Sequence, residues 1–180
     1  TPQATSTFAA GVNLDSRTLV PTPLPAFDAT DPDTYFRSTS GTIFDSLGND
    51  HQLTLFFQKS APSTWSVYAT VDGAVDASGV PVGVQLGGGS PLSLTFDSNG
   101  VLTAPTGAVA ASVDLSAVAT NLGIADWGAT TPLDFDFDLT SSTQFGSKFA
   151  VNKLEQDGFT SGRLAGYGIS DDGTIQGNYT

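Results

Sequence analysis

The chain has 180 residues, with 18 acidic side chains against 6 basic ones, a formal net charge of −12, 39% hydrophobic residues and only 13% charged ones. That charge repels nucleic-acid phosphates and anionic lipid, so neither nucleic acid nor membrane is an expected partner. With no Cys and no Met, disulfides, thiolate catalysis and zinc–thiolate sites are excluded. No apolar run approaches the roughly 20 residues of a membrane-spanning helix. The 19 Ser, 23 Thr, 20 Gly and 10 Pro favour short strands joined by tight turns over a helical bundle. All the acids but Glu155 are Asp, a turn and cap residue rather than a helix former. Residue 1 is not Met, and the chain is expected to be an excised piece of a longer protein.

In chain order, residues 1–20 read as irregular, with one short apolar segment at Thr18-Leu19-Val20. Pro21, Pro23 and Pro25 stiffen the backbone and remove amide donors, which marks a connector or domain edge. Thr42–Asp45, Ser46–Asn49 and Asp50–Phe57 read as strand, turn and strand. A further strand spans Thr64–Val71, with Trp65, Val67, Ala69 and Val71 on a dry face and Ser66, Tyr68 and Thr70 on a wet one. Residues 72–90 are Gly-rich and read as a long loop. Leu92–Phe96 alternates strictly, and Asp97-Ser98-Asn99-Gly100 turns it into Val101-Leu102-Thr103; Asn-Gly is a strong hairpin signal because both residues tolerate positive φ. Residues 107–127 fit either a short helix or two weak strands. Leu133–Leu139 is the cleanest alternating strand. Arg163–Ser170, the turn Asp171-Asp172-Gly173 and Thr174–Tyr179 read as a last hairpin, bent or bulged at its glycines. No helix of ordinary length stands out, so the expected fold is all-β, a sandwich or barrel of short antiparallel strands.

No constellation carries catalysis. Asp134, Asp136 and Asp138 share a strand face, which suggests Ca²⁺, but one strand cannot wrap a cation, and a solvent face that discourages edge pairing is the plainer reading. Asp45–Asp50 has a faint calcium-loop look but lacks the acid at its third position and the later bidentate Glu. A hairpin turn with Asx hydrogen bonds explains it better, as it does Asp171-Asp172-Gly173. His51 is the only histidine. Its neighbour Asp50 points to the opposite strand face and cannot orient it for a triad, so an ordinary strand histidine is expected. Gly87-Gly88-Gly89-Ser90 has no following Lys and reads as a loop. Trp65 and Trp127 are expected to anchor the core, with sugar stacking as the rival. The expected catalytic, cofactor and metal residues are therefore none.

Several segments together carry a resemblance. Ser40-Gly41-Thr42-Ile43-Phe44-Asp45-Ser46-Leu47-Gly48-Asn49-Asp50-His51, followed by Leu53–Phe57 and Trp65–Tyr68, is similar to the outer domain of bacterial flagellar hook proteins. Leu94–Leu102 resembles a second signature of that family. Gln144-Phe145-Gly146, Asp157–Leu164 and Ile169–Thr180 resemble its re-entry segment, and Ala9–Ser16 its outgoing side. The resemblance implies two β domains, the outer inserted into the inner, with terminal polymerising helices missing here. On it, residues 1–20 and 141–180 form a discontinuous inner domain and residues 21–140 the outer one. Phe145, Phe149, Leu154, Leu164, Ile169 and Ile175 are then expected to pack against Phe8, Val12 and Leu14 as the inner core. It further implies a structural subunit with no enzymatic activity, exported from the cytoplasm. Identical copies of the full-length protein would build a curved extracellular tube, the universal joint between motor and filament, in contact with hook cap and hook–filament junction proteins. This chain without its helices is expected to be monomeric. Small uncharged Ser/Thr/Gly surfaces suit subunits that slide past one another. The rival reading is a carbohydrate- or host-binding β-sandwich of a bacterial surface protein.

Overall fold

A computed structural model describes residues 1–162 and, beyond them, the backbone of two strands at 164–169 and 175–179. The strands are β1 (Thr7–Asn13), β2 (Arg37–Phe44), β3 (Asp50–Ala61), β4 (Thr64–Val71), β5 (Val84–Leu86), β6 (Leu92–Phe96), β7 (Leu102–Ala104), β8 (Val109–Val113), β9 (Leu133–Asp138), β10 (Ala150–Gln156), β11 (Leu164–Ile169) and β12 (Ile175–Tyr179). An α-helix, α1 (Leu115–Leu122), joins β8 to the segment before β9. The strands form a five-stranded sheet in the order β10-β1-β9-β8-β5, another in the order β2-β3-β4-β6-β7, and the two-stranded β11-β12. Every pairing is antiparallel except that of β1 with β9, which is parallel.

The two larger sheets share one core. Alternation puts Leu53, Leu55 and Phe57 of β3 and Trp65, Val67, Ala69 and Val71 of β4 inside, facing Phe8, Ala10 and Val12 of β1 and Phe135 and Phe137 of β9. This is the dry face expected for Thr64–Val71, and Leu133–Leu139 likewise buries every second residue. Phe8 stacks on Phe137, with ring centroids 5.9 Å apart. Trp65 is fully buried and donates its indole N–H to Gln144 Oε1 at 2.6 Å, so its polar edge is satisfied.

Residues 7–13, read as irregular, form β1, and Leu19 of the short apolar segment is 85% exposed. The long Gly-rich loop contains β5, and the ambiguous stretch 107–127 divides into β8 and α1. The helix starts because the Asp114 side chain accepts the Ala117 amide and stops at Gly123, which takes a left-handed φ of 66°. Tyr68, expected to be wet, is covered: the connector after the prolines lays Phe27 flat on its ring at 3.9 Å, with Phe56 edge-on to Phe27. The connector is thus docked on the outer face of the second sheet, where buried Gln58 donates to the Pro25 and Thr34 carbonyls.

The division expected at Pro21–Pro25 and Ser141–Thr143 falls inside this fold. β1 hydrogen-bonds to both β9 and β10, and Phe8, Val12 and Leu14 belong to the same core as Trp65 and Phe135. Of the expected inner core, Phe149 packs against that shared core, whereas Phe145 and Leu154 are 48% and 43% exposed. The side chains of Leu164, Ile169 and Ile175 lie outside the described residues. The final hairpin is present as β11–β12, with a register shift between Leu164 and Gly166; its turn at Asp171–Gly173 lies outside the described residues.

One turn is used three times. In 45–49, 76–80 and 97–101 the leading Asp amide donates to the carbonyl four residues on, and a glycine amide donates back to the Asp carbonyl. The Asp Oδ1 meanwhile accepts the amides of the third and fifth residues. The glycine alone is left-handed: Gly48, Gly79 and Gly100 have φ of 81°, 74° and 78°. At 97–100 this differs from the expected Asn-Gly turn, because Asn99 keeps negative φ. The loop is a type I turn closed by a glycine bulge.

Two measurements test this packing. Expressed alone, residues 26–140 lack β1 and β10 and are expected to show no cooperative thermal transition by circular dichroism, whereas the whole chain melts cooperatively. Gly100→Ala is expected to destabilise more than Gly73→Ala. Both pay about 1–2 kcal/mol for a left-handed non-glycine residue, but a Cβ at Gly100 would lie 2.6 Å from the Gln144 carbonyl oxygen while one at Gly73 meets nothing within 4 Å. Equal denaturant midpoints for the two variants would contradict the packing at Gly100.

Candidate functional site

The most concentrated polar chemistry in the core surrounds His51. Strand alternation turns its side chain inward at the start of β3 while Asp50 and Gln52 face out. Its Nδ1 lies 2.7 Å from Asp72 Oδ2 and its Nε2 3.3 Å from Asp45 Oδ2. The side chains of His51 and Asp45 are fully buried, and that of Asp72 is 23% exposed. Asp45 is the first residue of the β2–β3 turn and also accepts the Asn49 side-chain amide at 2.7 Å. Asp72 follows β4, holds the Gln52 amide at 2.8 Å, and has a φ of 52°, which Asp tolerates better than most residues. The Trp127 ring meets the imidazole edge-on at 4.7 Å. Burial raises the Asp45 pKa, but the hydrogen bonds from Asn49, Leu47 and His51 outweigh it and hold the carboxyl below its ordinary value. For His51 burial works downward, and the hydrogen bonds and charges of Asp72 and Asp45 outweigh it, so its pKa is raised.

Sequence reasoning was right that Asp50 does not orient His51 and that Asp45–Asn49 is an Asx-bonded turn. It missed that Asp45 and Asp72 clamp the ring from two other turns. Lys59 was also missed. It is 4% exposed, donates to the Ser16 and Thr18 carbonyls at 2.8 Å each, and sits 5.4 Å from the Trp65 ring centroid. Burial lowers its pKa, against a smaller upward pull from Asp15. The ammonium ties the 14–18 segment to the second sheet.

Asp134 and Asp136 lie on the exposed face of β9, opposite Ser112 and Ala110, while Asp138 turns to its own Thr140. Among the described residues no group of three His, Asp or Glu side chains is placed to hold a metal ion. Gly87–Ser90 forms a tight turn closed by the Leu86 and Gly89 backbones. A surface groove of about 660 Å³ beside β5 is lined by a single ionisable residue, Asp114, which caps α1. Trp65 is closed off in the core and Trp127 is half-buried against His51, so both serve packing.

The edge strand β2 turns the hydroxyls of Ser38, Ser40 and Thr42 outward beside exposed Arg37, and the edge strand β10 exposes Ala150, Val151, Asn152 and Glu155. Several acids are turned onto backbone amides. Asp157 accepts the Ser6 and Thr7 amides and the Ser6 hydroxyl, which, against the upward pull of burial, hold it at about 2.

Comparison with known proteins fits this picture. The profile of the family described as "Flagellar basal body protein FlaE D2 domain" matches residues 13–159. The chain belongs to that family. It is 31% identical over 181 residues to the flagellar hook protein FlgE of Escherichia coli (strain K12), covering 99% of this chain and 39% of that protein. The FlgE of Salmonella typhimurium (strain LT2) is 30% identical over 178 residues, covering 99% and 40%. That of Treponema pallidum (strain Nichols) is 29% identical over 204 residues, covering 99% and 42%. The chain thus spans about two fifths of the length of these relatives. A solved 32 kDa fragment of FlgE from Caulobacter crescentus matches with a TM-score of 0.46 and 16% identity over 67% of this chain and 46% of that one.

The electrostatics give a signed expectation. Asp45, Asp97, Asp138 and Asp157 all sit below the ordinary value of 3.8 in the folded chain. A carboxylate with a depressed folded pKa contributes its full stability above 3.8 and loses it as pH falls through the folded value. The melting midpoint is therefore expected to hold down to about pH 4 and then fall steadily towards about pH 2. Asp157→Asn should remove part of that fall. A midpoint that is level from about pH 4 to pH 2 would show that these hydrogen bonds do not discriminate the ionised form.

Proposed function

We propose that this chain is the part of a flagellar hook subunit that carries its inner and outer β domains. Copies of the full-length protein polymerise into a curved tube outside the cell, which passes motor torque to the filament. The observation that carries this reading is the alignment of hook proteins from distant bacteria over 99% of the chain. The physical character of the fold supports it. A contiguous core among the described residues makes a stiff body, and the outward hydroxyls of the edge strand β2 suit contacts that change without breaking strong ion pairs.

The subunit works mechanically, with no catalytic residue, cofactor or metal of its own. Hook cap and hook–filament junction proteins are its expected partners beyond its own copies, and this chain by itself is monomeric. The two-unit organisation, expected as residues 1–20 and 141–180 against 21–140, is kept as part of this proposal, with β1 and β10 assigned to the sandwich because they pair within its first sheet. Antibodies raised against the chain and followed by immunogold electron microscopy on the source cells are expected to label a short curved segment between the cell surface and the filament. Label along the filament, or spread over the cell body, would overturn the assignment.

A further inference from the structure

His51 joins three pieces of chain that do not pair with one another in a sheet. Asp45 belongs to the β2–β3 turn, Asp72 to the turn after β4, and Trp127 to the segment between α1 and β9. Each ring nitrogen faces a carboxylate oxygen, and an ionised carboxylate only accepts hydrogen bonds. Asp45 is committed as an acceptor by the Leu47 and Asn49 amides and the Asn49 side chain, and Asp72 by the Gln52 amide. Both contacts are therefore attractive only if both ring nitrogens carry hydrogen, that is, if the ring is an imidazolium. A neutral ring would aim a lone pair at a carboxylate where neither His51 nor Asp45 reaches solvent.

We propose that His51 is a pH-sensitive latch: charged, it holds the Asp45 turn, the Asp72 turn and the Trp127 segment together, and on losing its proton it releases them. The groups around it favour the charged form. From the β2–β3 turn and the end of β4 only Asp45 and Asp72 reach the ring. On its own strand Asp50 is exposed on the opposite face. On the Trp127 segment Asp126 is exposed and engaged by the Ser116 hydroxyl and the Gly128 amide. The raised folded pKa agrees with this geometry. Because the folded value lies above the ordinary 6.5, the latch is complete below 6.5 and is lost as pH rises through the folded value.

The direct test is ¹⁵N NMR of the whole chain labelled at histidine. The expected result is a ring protonated at both nitrogens at neutral pH, titrating above 6.5; a single neutral tautomer at pH 6.5 would overturn the proposal. The second test is the melting midpoint from about pH 6 to about pH 9. It is expected to fall by a few degrees in the native chain, less in Asp72→Asn, which should also lower the His51 pKa, and not at all in His51→Gln. A level midpoint in the native chain, despite a titrating ring, would show that the proton holds nothing together and would equally overturn it. If His51→Gln does not fold, the ¹⁵N titration and Asp72→Asn decide.

Discussion

The pairing of β1 with strands from the other end of the chain is the constraint on which the sandwich depends. β1 lies between β9, parallel to it, and β10, antiparallel to it. A parallel neighbour cannot be reached by a tight turn, and here the whole second sheet is threaded between the two strands. The first sheet therefore closes only after the chain has returned, which makes its contacts long-range and their formation entropically costly. Both ends of β1 are stapled accordingly. At its start Asp157 gathers the Ser6 and Thr7 amides. At its end buried Asn13 donates to the Ser147 carbonyl and accepts from Thr143 Oγ1 and the Phe145 amide. Phe8 then fills the space between the sheets so closely that a Cβ on Gly41 of β2 would lie 2.9 Å from its ring.

Aspartate solves a second problem, how to end many short strands without helices. In three hairpins the same residue closes the turn by accepting two amides that would otherwise be orphaned, while a glycine takes the left-handed position. The carboxylates of these turns are placed by backbone donors within a few residues, while Asp157 takes the Ser6 and Thr7 amides across the fold; among the described residues the exposed Lys/Arg–acid pairs are Arg17–Asp15 and Lys153–Glu155. Exposed pairs of this kind contribute about 0–1 kcal/mol, so the turns, rather than the ion pairs, hold the acids' part of the fold together.

What was legible in the sequence follows from locality. Strands with strict alternation and a local turn, such as Thr64–Val71 and Leu133–Leu139, were readable because period and punctuation lie within a dozen residues. β1 was not, because Ala9, Ala10 and Gly11 have weak strand preference and its partners lie more than a hundred positions away. The wet face of Tyr68 was sound local reasoning overridden by Phe27, a residue of the connector itself. The His51 cluster was invisible for the same reason: Asp45 and Asp72 meet only because β2, β3 and β4 pair in register, with Ile43 opposite His51 and Leu53 opposite Val71.

These features bear jointly on how such a body would behave under load. Among the described residues no buried side-chain nitrogen or oxygen lacks a hydrogen-bond partner, and buried His51 and Lys59 are each held by two fixed acceptors. Deforming the sandwich would break those contacts where water cannot replace them, at a cost of several kcal/mol. On the proposed reading as a polymer subunit, such a body is expected to move as a unit, with bending of the assembly taken up at contacts between copies rather than inside any one of them.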